Sequence, residues 1–141
     1  YGKEIQYLSG ITYHYISSIV VPNLDIMKTF FYLHTCSTCQ RIMKELNLDK
    51  VKLKDIKTNK ITLQEIDEMA KLSGSFASLF SRRAIKYKSL NLGSENLTED
   101  DYKNYILKEY TFLKRPVLIT QDNIVIGNSK KAIEEMINIL Q

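Results

Sequence analysis

The sequence predicts an α/β fold: a mixed sheet whose β-α-β and β-β-α halves are separated by a helical insert. Three observations predict it. Lys28 to Arg41 (KTFFYLHTCSTCQR) reads as a short apolar strand, a tight loop and the start of a helix. Near the other end, Val117–Thr120 and Ile124–Ile126 are apolar strands joined by the turn signal Asp122-Asn123. Between these halves, Thr62 with Glu65 and Thr98 with Asp101 have the spacing of capping boxes, each opening a helix.

Taken in order, Tyr1 to Ile26 is rich in tyrosine and β-branched residues, and Ile11 to Val21 can form a strand ending at the turn signal Pro22-Asn23. It reads as an N-terminal extension of unknown role (1–26), ahead of a natural start at Met27 and a single domain over 27–141. In the first strand, Thr29 to Leu33 have no polar break, as suits an interior strand covered on both faces. Ile42, Met43 and Leu46 then fall at helical spacing. Val51 to Ile56 alternates apolar and charged residues, the pattern of a half-exposed strand. A crossover between these strands makes them a parallel pair.

The insert runs over about residues 60–112. Its first helix carries Ile66, Met69, Ala70 and Leu72 inward and ends at Ser73-Gly74-Ser75. Phe76 to Phe80 resumes a helical pattern leading into Ser81-Arg82-Arg83, and Asn91 to Asn96 reads as a loop. The next helix buries Tyr102, Tyr105 and Ile106. Arg115-Pro116 leads into the hairpin. Gly127 ends it, and Asn128 or Ser129 caps a last helix with Ile133, Met136, Ile137 and Leu140 inward.

The chain's only two cysteines, Cys36 and Cys39, sit at the strand-to-helix turn. The first turn of a helix presents free N–H groups and a partial positive charge, which favour thiolate over thiol. A thiol there falls below its free value of about 8.5. Cys36, nearer the loop, is the expected nucleophile, and Cys39, inside the first turn, the resolving partner. C-x-x-C beside a β-α-β pattern reads as a thioredoxin-like (glutaredoxin-like) redox motif. One alternative is half a zinc site completed by His14 and His34, although His34 lies too near Cys36 for usual ligand spacing. Another is a pair of structural cysteines that never react.

Composition excludes little else. In 141 residues, 44% are hydrophobic and 26% charged, as in a soluble globular domain. The net charge of +4 is mostly lysine spread along helix faces, which suits a solvated surface better than direct nucleic-acid binding. No apolar run reaches the length of a membrane span, and Tyr1 to Asp25 is a poor signal peptide. A cytoplasmic location is therefore expected, where paired cysteines have a catalytic or sensing role.

From Met27 to Gln141 the chain resembles the ArsC/Spx family, the arsenate-reductase-like proteins of bacteria. The resemblance rests on FYLHTCSTCQR, SRRAIKYKSLNL, and FLKRPVLIT followed by NIVIG, in that order. It implies that Cys36 is the nucleophile, which in arsenate reductases attacks arsenate before glutathione and glutaredoxin complete the reduction. Arg115 matches the arginine facing that cysteine, and Arg83, or its neighbour Arg82, the arginine of the middle segment. Pro116 matches the cis-proline opposite the cysteine loop. An arginine near a thiolate lowers its pKa and can hold an oxyanion with a bidentate fork. Blander readings are a solvated strand-edge residue for Arg115 and a helix C-terminal charge for Arg82 or Arg83.

The sequence departs from the family's pattern in three places. Asn128 stands where arsenate reductases carry a further arginine. Cys39 is absent from the glutathione-dependent reductases but present in Spx-type proteins, where C-x-x-C is a redox switch and the protein binds the RNA polymerase α-subunit. His34-Thr35 replaces a longer, proline-containing stretch. The expected function is thus arsenate-reductase-like thiol redox chemistry with no metal or tightly bound cofactor. Glutathione with glutaredoxin, or thioredoxin, would be the external reductant. The alternative is a Spx-like regulator that binds the polymerase near Gly74, a residue that also reads as a plain helix C-cap.

Overall fold

The computed structural model describes residues 28–141 and, ahead of them, the backbone of three strands. Those strands, β1 (Glu4–Gln6), β2 (Thr12–Ile16) and β3 (Ile19–Pro22), form an antiparallel sheet of order β1-β2-β3. The single strand expected over Ile11 to Val21 is therefore two, paired with Ile16 opposite Ile19. Asn23 of the expected turn and the side chain of His14 lie outside the described residues.

The second sheet is mixed, of order β5-β4-β6-β7. β4 (Thr29–Tyr32) pairs in parallel with β5 (Lys52–Asp55) and antiparallel with β6 (Val117–Ile119), which continues into β7 (Ile124–Ile126). α1 (Ser37–Glu45) makes the crossover, and α5 (Lys130–Leu140) closes the chain. Between β5 and β6 lie α2 (Leu63–Ser73), α3 (Ile85–Ser89) and α4 (Glu99–Lys108).

Alternation along the strands sorts the core onto two faces. Phe30, Leu118 and Val125 form one cross-strand row, packed with Ile42 of α1 and Met136 of α5. Phe31, Val117 and Ile126 form the opposite row, against the insert residues Ile66, Met69, Ile106 and Phe112. The uninterrupted apolar sequence of β4 follows from this double cover.

β5 departs from the simple alternation. Leu53 extends the Phe30 row at the sheet's edge, where it is 45% exposed. Lys54, beside Phe31, is half-buried and pairs with Glu65 of α2. Both capping boxes form, with Thr62 Oγ1 accepting from Glu65 N at 3.1 Å and Thr98 Oγ1 from Asp101 N at 3.2 Å. Ser129, not Asn128, caps α5.

Two expectations in the insert need correction. Phe76 to Phe80 is not a helical run but a single 3₁₀ turn, Ala77–Leu79, after which Phe80 becomes extended. Asn91 to Asn96 is not plain loop, since Leu92–Ser94 forms a 3₁₀ turn that buries Leu92. Tertiary contacts decide both. Phe80 bridges Leu113, with Ser81 N donating to Phe112 O at 2.7 Å and Lys114 N to Leu79 O at 2.8 Å. The Phe80 ring stacks on Phe112 and meets Tyr87 of α3 edge-on.

Candidate active site

The site is built where three segments meet. The first is the loop from β4 into α1. Cys36 N donates to Leu33 O at 3.0 Å, closing a tight turn, and Cys36 takes the N-cap position with extended backbone (φ −91°, ψ 112°). Ser or Asp normally fills that position with an oxygen that accepts from the helix N–H groups. Here a sulfur occupies it. Cys36 is half-buried, while Cys39, one turn on, is fully buried in the core.

The sulfurs differ because their surroundings do. Burial raises the Cys36 thiol, but the N–H groups of Cys39 and Thr38, the Cys39 thiol and the Arg115 guanidinium outweigh it, and its pKa is lowered. Burial pushes Cys39 up to about 11, with the adjacent Cys36 charge adding to the effect. The pair therefore holds one sulfur poised to ionise and one that stays protonated.

The second segment ends at the Arg115–Pro116 bond, which is cis. Arg115 is anchored by its own chain. One terminal nitrogen donates to Thr111 O at 3.2 Å and Leu113 O at 3.4 Å. Its Nε is buried with no hydrogen-bond partner, so this guanidinium keeps one unmet donor inside the protein. That placement rules out the reading of Arg115 as a solvated strand-edge charge.

The third segment is Ser81-Arg82-Arg83, held beside Lys114-Arg115 by the Phe80–Leu113 bridge. Both arginines lie in a turn ahead of α3, not at a helix C-terminus. Arg82 donates to the Tyr102 hydroxyl at 3.2 Å. Arg83 has no hydrogen bond or ion pair among the described residues.

These segments enclose an open cavity of about 550 Å³ lined by Cys36, Arg82, Arg83 and Arg115, and also by Gly127, Asn128 and Ser129. Pro116 is buried at the start of β6, where Gly127 N donates to its carbonyl at 2.8 Å. Of the residues singled out in the sequence, Cys36, Arg82, Arg83 and Arg115 line the cavity, whereas Cys39 and Pro116 are buried and do not. Lys114 also lines the cavity and was missed. The signal was present, as Lys114-Arg115 is a basic doublet like Arg82-Arg83.

His34 is exposed and does not line the cavity. Its Nδ1 pairs with the Asp55 carboxylate, and Gln40 donates to its carbonyl, tying the cysteine loop to the end of β5 and the first turn of α1. Among the described residues, no group of three or more His, Cys, Asp or Glu side chains is arranged to hold a metal ion.

A mixed sheet with helices on both faces, a C-x-x-C at the first strand-to-helix turn and a cis-proline entering the hairpin defines a thioredoxin-fold protein. The ArsC family model matches residues 31–136, and the chain belongs to the ArsC family. Solved structures with this fold include an ArsC-family-related protein from Bacteroides fragilis (TM-score 0.66, 24% identity, covering 78% of this chain and 97% of that one). A candidate arsenate reductase from Streptococcus mutans is similar too (TM-score 0.63, 28% identity, 78% and 97%). In sequence, the global transcriptional regulator Spx 2 of Bacillus cereus is 22% identical over 107 residues, covering 73% of this chain and 81% of that protein. Among the described residues, no helix is long and apolar enough to cross a membrane.

Proposed function

We propose that the protein is a thiol redox protein of the arsenate-reductase type, with the Cys36 thiolate as nucleophile. The observation that carries this reading is the asymmetry of the cysteine pair: Cys36 is ionisable, N-capping and open to a cationic cavity, whereas Cys39 is buried and held protonated. On a disulfide, Cys36 Sγ attacks one sulfur and the other leaves as thiolate. Cys39 then attacks Cys36 Sγ, its proton passing to the departing thiolate, and the pair is left oxidised by two electrons. On arsenate, Cys36 Sγ bonds to arsenic with loss of water. A second thiol then attacks Cys36 Sγ, and the S–As electron pair stays on arsenic as arsenite. That thiol is Cys39 or external glutathione.

Arg115 stabilises the thiolate or the bound oxyanion, with Arg83 and Arg82 of the same cavity lining as substrate-binding cations. Asn128 leaves the cavity lining one cation short of the arsenate reductase pattern, which favours a disulfide over an oxyanion as the natural substrate. No metal or tightly bound cofactor takes part. Glutaredoxin or thioredoxin returns the electrons.

The test is NADPH oxidation driven by arsenate or by a disulfide, coupled through glutathione and glutaredoxin and separately through thioredoxin. Turnover is expected to vanish in Cys36→Ser. Loss in Cys39→Ser as well identifies the internal disulfide route. No turnover above background in either system contradicts the proposal.

A second reading is a Spx-like regulator that binds the RNA polymerase α-subunit, favoured by the curated relatives of that name. Gly74 caps α2 with φ +95°, and a Cβ there would meet no atom within 4 Å, so the surface around it is open. Gly74→Arg adds bulk and also strains the backbone, whereas Gly74→Ala adds the strain alone. Pull-down of the α-subunit that survives Gly74→Ala and fails in Gly74→Arg would favour the regulator.

A further inference from the structure

Cations gather at the Cys36 cavity beyond what a small anion needs. The wall holds Arg82, Arg83, Lys114 and Arg115 and no carboxylate. Close in sequence to lining residues, Lys88 on α3 (four after Ala84) and Lys130 and Lys131 on α5 (directly after Ser129) are exposed, and none makes an ion pair among the described residues. Lys130 and Lys131 occupy the first turn of α5, which contains no acid. The helix dipole disfavours cations there, so the two lysines work against their own helix.

An apolar side chain is exposed directly after a lining residue. Ile85 follows the cavity-lining Ala84 and is 87% exposed, more than any other large apolar side chain described. Its helix is anchored through Tyr87, whose ring turns inward against Phe80. Basic residues and one exposed apolar side chain, close in chain to the wall of the cavity that holds Cys36, complement an acidic chain with an apolar side chain of its own. A nucleic acid would satisfy the charge but leave Ile85 uncovered.

We propose that this basic surface docks an acidic segment of a partner protein that presents its disulfide to Cys36. Carboxylates flanking the partner's cysteine meet Lys88, Lys130 and Lys131, and an apolar neighbour covers Ile85. The inference rests on the reading of Cys36 as a nucleophile on disulfides and names the class of substrate. In the first step Cys36 Sγ bonds to the partner's sulfur and the other sulfur leaves as thiolate. Cys39 then displaces the partner as its thiolate.

The test uses the whole protein and three synthetic peptides whose single cysteine is disulfide-bonded to thionitrobenzoate, followed by release of the coloured thiolate. One peptide flanks the cysteine with glutamates and a leucine, the second replaces glutamate by glutamine, and the third replaces leucine by serine. The first is expected to react about tenfold faster than the second at low salt, with the gap closing as ionic strength rises. It should also outpace the third, and Ile85→Ser should remove that difference alone. The triple variant Lys88→Glu/Lys130→Glu/Lys131→Glu should abolish the glutamate preference while leaving the rate with uncharged hydroxyethyl disulfide unchanged. Equal rates for all three peptides, with hydroxyethyl disulfide still reacting, overturn the docking proposal and spare the thiol chemistry. A protein inert to every disulfide overturns both. Inhibition by a single-stranded oligonucleotide, with no effect of leucine or Ile85→Ser, would make it a polyanion surface and overturn the protein-partner assignment.

Discussion

Cys36 and Cys39 are three residues apart, yet their sulfurs sit in opposed environments. Cys36 replaces an oxygen N-cap and takes the helix N–H groups for its charge, while Cys39 points into the core with Phe31 and Leu33. Arg115 lowers Cys36 and keeps a buried Nε without a partner. Arg115→Leu should raise the Cys36 pKa toward its ordinary value. Iodoacetamide alkylation of Cys36 at pH 7 should then slow by about three- to tenfold, one pKa unit being tenfold in thiolate fraction. An unchanged rate would show that the helix N-terminus acts alone. At this scale the sequence was informative where chemistry is local. The cysteine pair and the Arg115-Pro116 step were readable, but the choice between Arg82 and Arg83 was not. Both line the cavity, and they differ in that Arg82 donates to the Tyr102 hydroxyl, a contact twenty residues away in sequence.

Elements followed the sequence when a short-range signal specified them. The two capping boxes and the hairpin are each completed within four residues, and each formed where the residues placed it. Thr62→Ala should destabilise the fold by about 1 kcal/mol, read as a lower urea midpoint at unchanged slope. α3 was not legible, being five residues long, with no buried residue and no apolar period. Its position comes from Phe80 and Tyr87, and that of Phe80 from the bridge to Leu113. This same bridge brings Arg82 and Arg83 to the cavity. Phe80→Ala should cost about 3–5 kcal/mol and slow turnover of any substrate bound by those arginines, because the turn loses its anchor. Wild-type kinetics in a destabilised Phe80→Ala protein would show that the arginines are not used.

Residues 28–141 form a mixed sheet covered on both faces, with the reactive loop at the end of its interior strand β4. The stability of this fold is coupled to acid through carboxylates held below their usual range. Burial raises Glu65, but Lys54 and the Thr62 cap outweigh it, and the net shift is downward. A depressed folded pKa stabilises the fold above the unfolded value and loses that contribution as pH falls through the folded one. The wild-type urea midpoint should therefore fall more steeply than that of Glu65→Gln between about pH 5.5 and about pH 3.5. Glutamine keeps the capping geometry and removes only the charge. Parallel curves would mean that Glu65 contributes nothing to the pH dependence. Lys54 shows why the global arrangement was only partly legible, since an alternating strand gives no sign of which face lies at an uncovered edge. Leu53 took the open side and the lysine the covered one.

The most direct test of the central claim is the pH dependence of alkylation at each cysteine, resolved by mass spectrometry of the native reduced protein. The reference is an unfolded peptide spanning the same loop. Cys36 should be half-reactive at a lower pH than the peptide cysteines, with Cys39 unmodified until the medium is strongly alkaline. Equal reactivity of the two cysteines, or a Cys36 that titrates at or above the peptide value, would contradict the account.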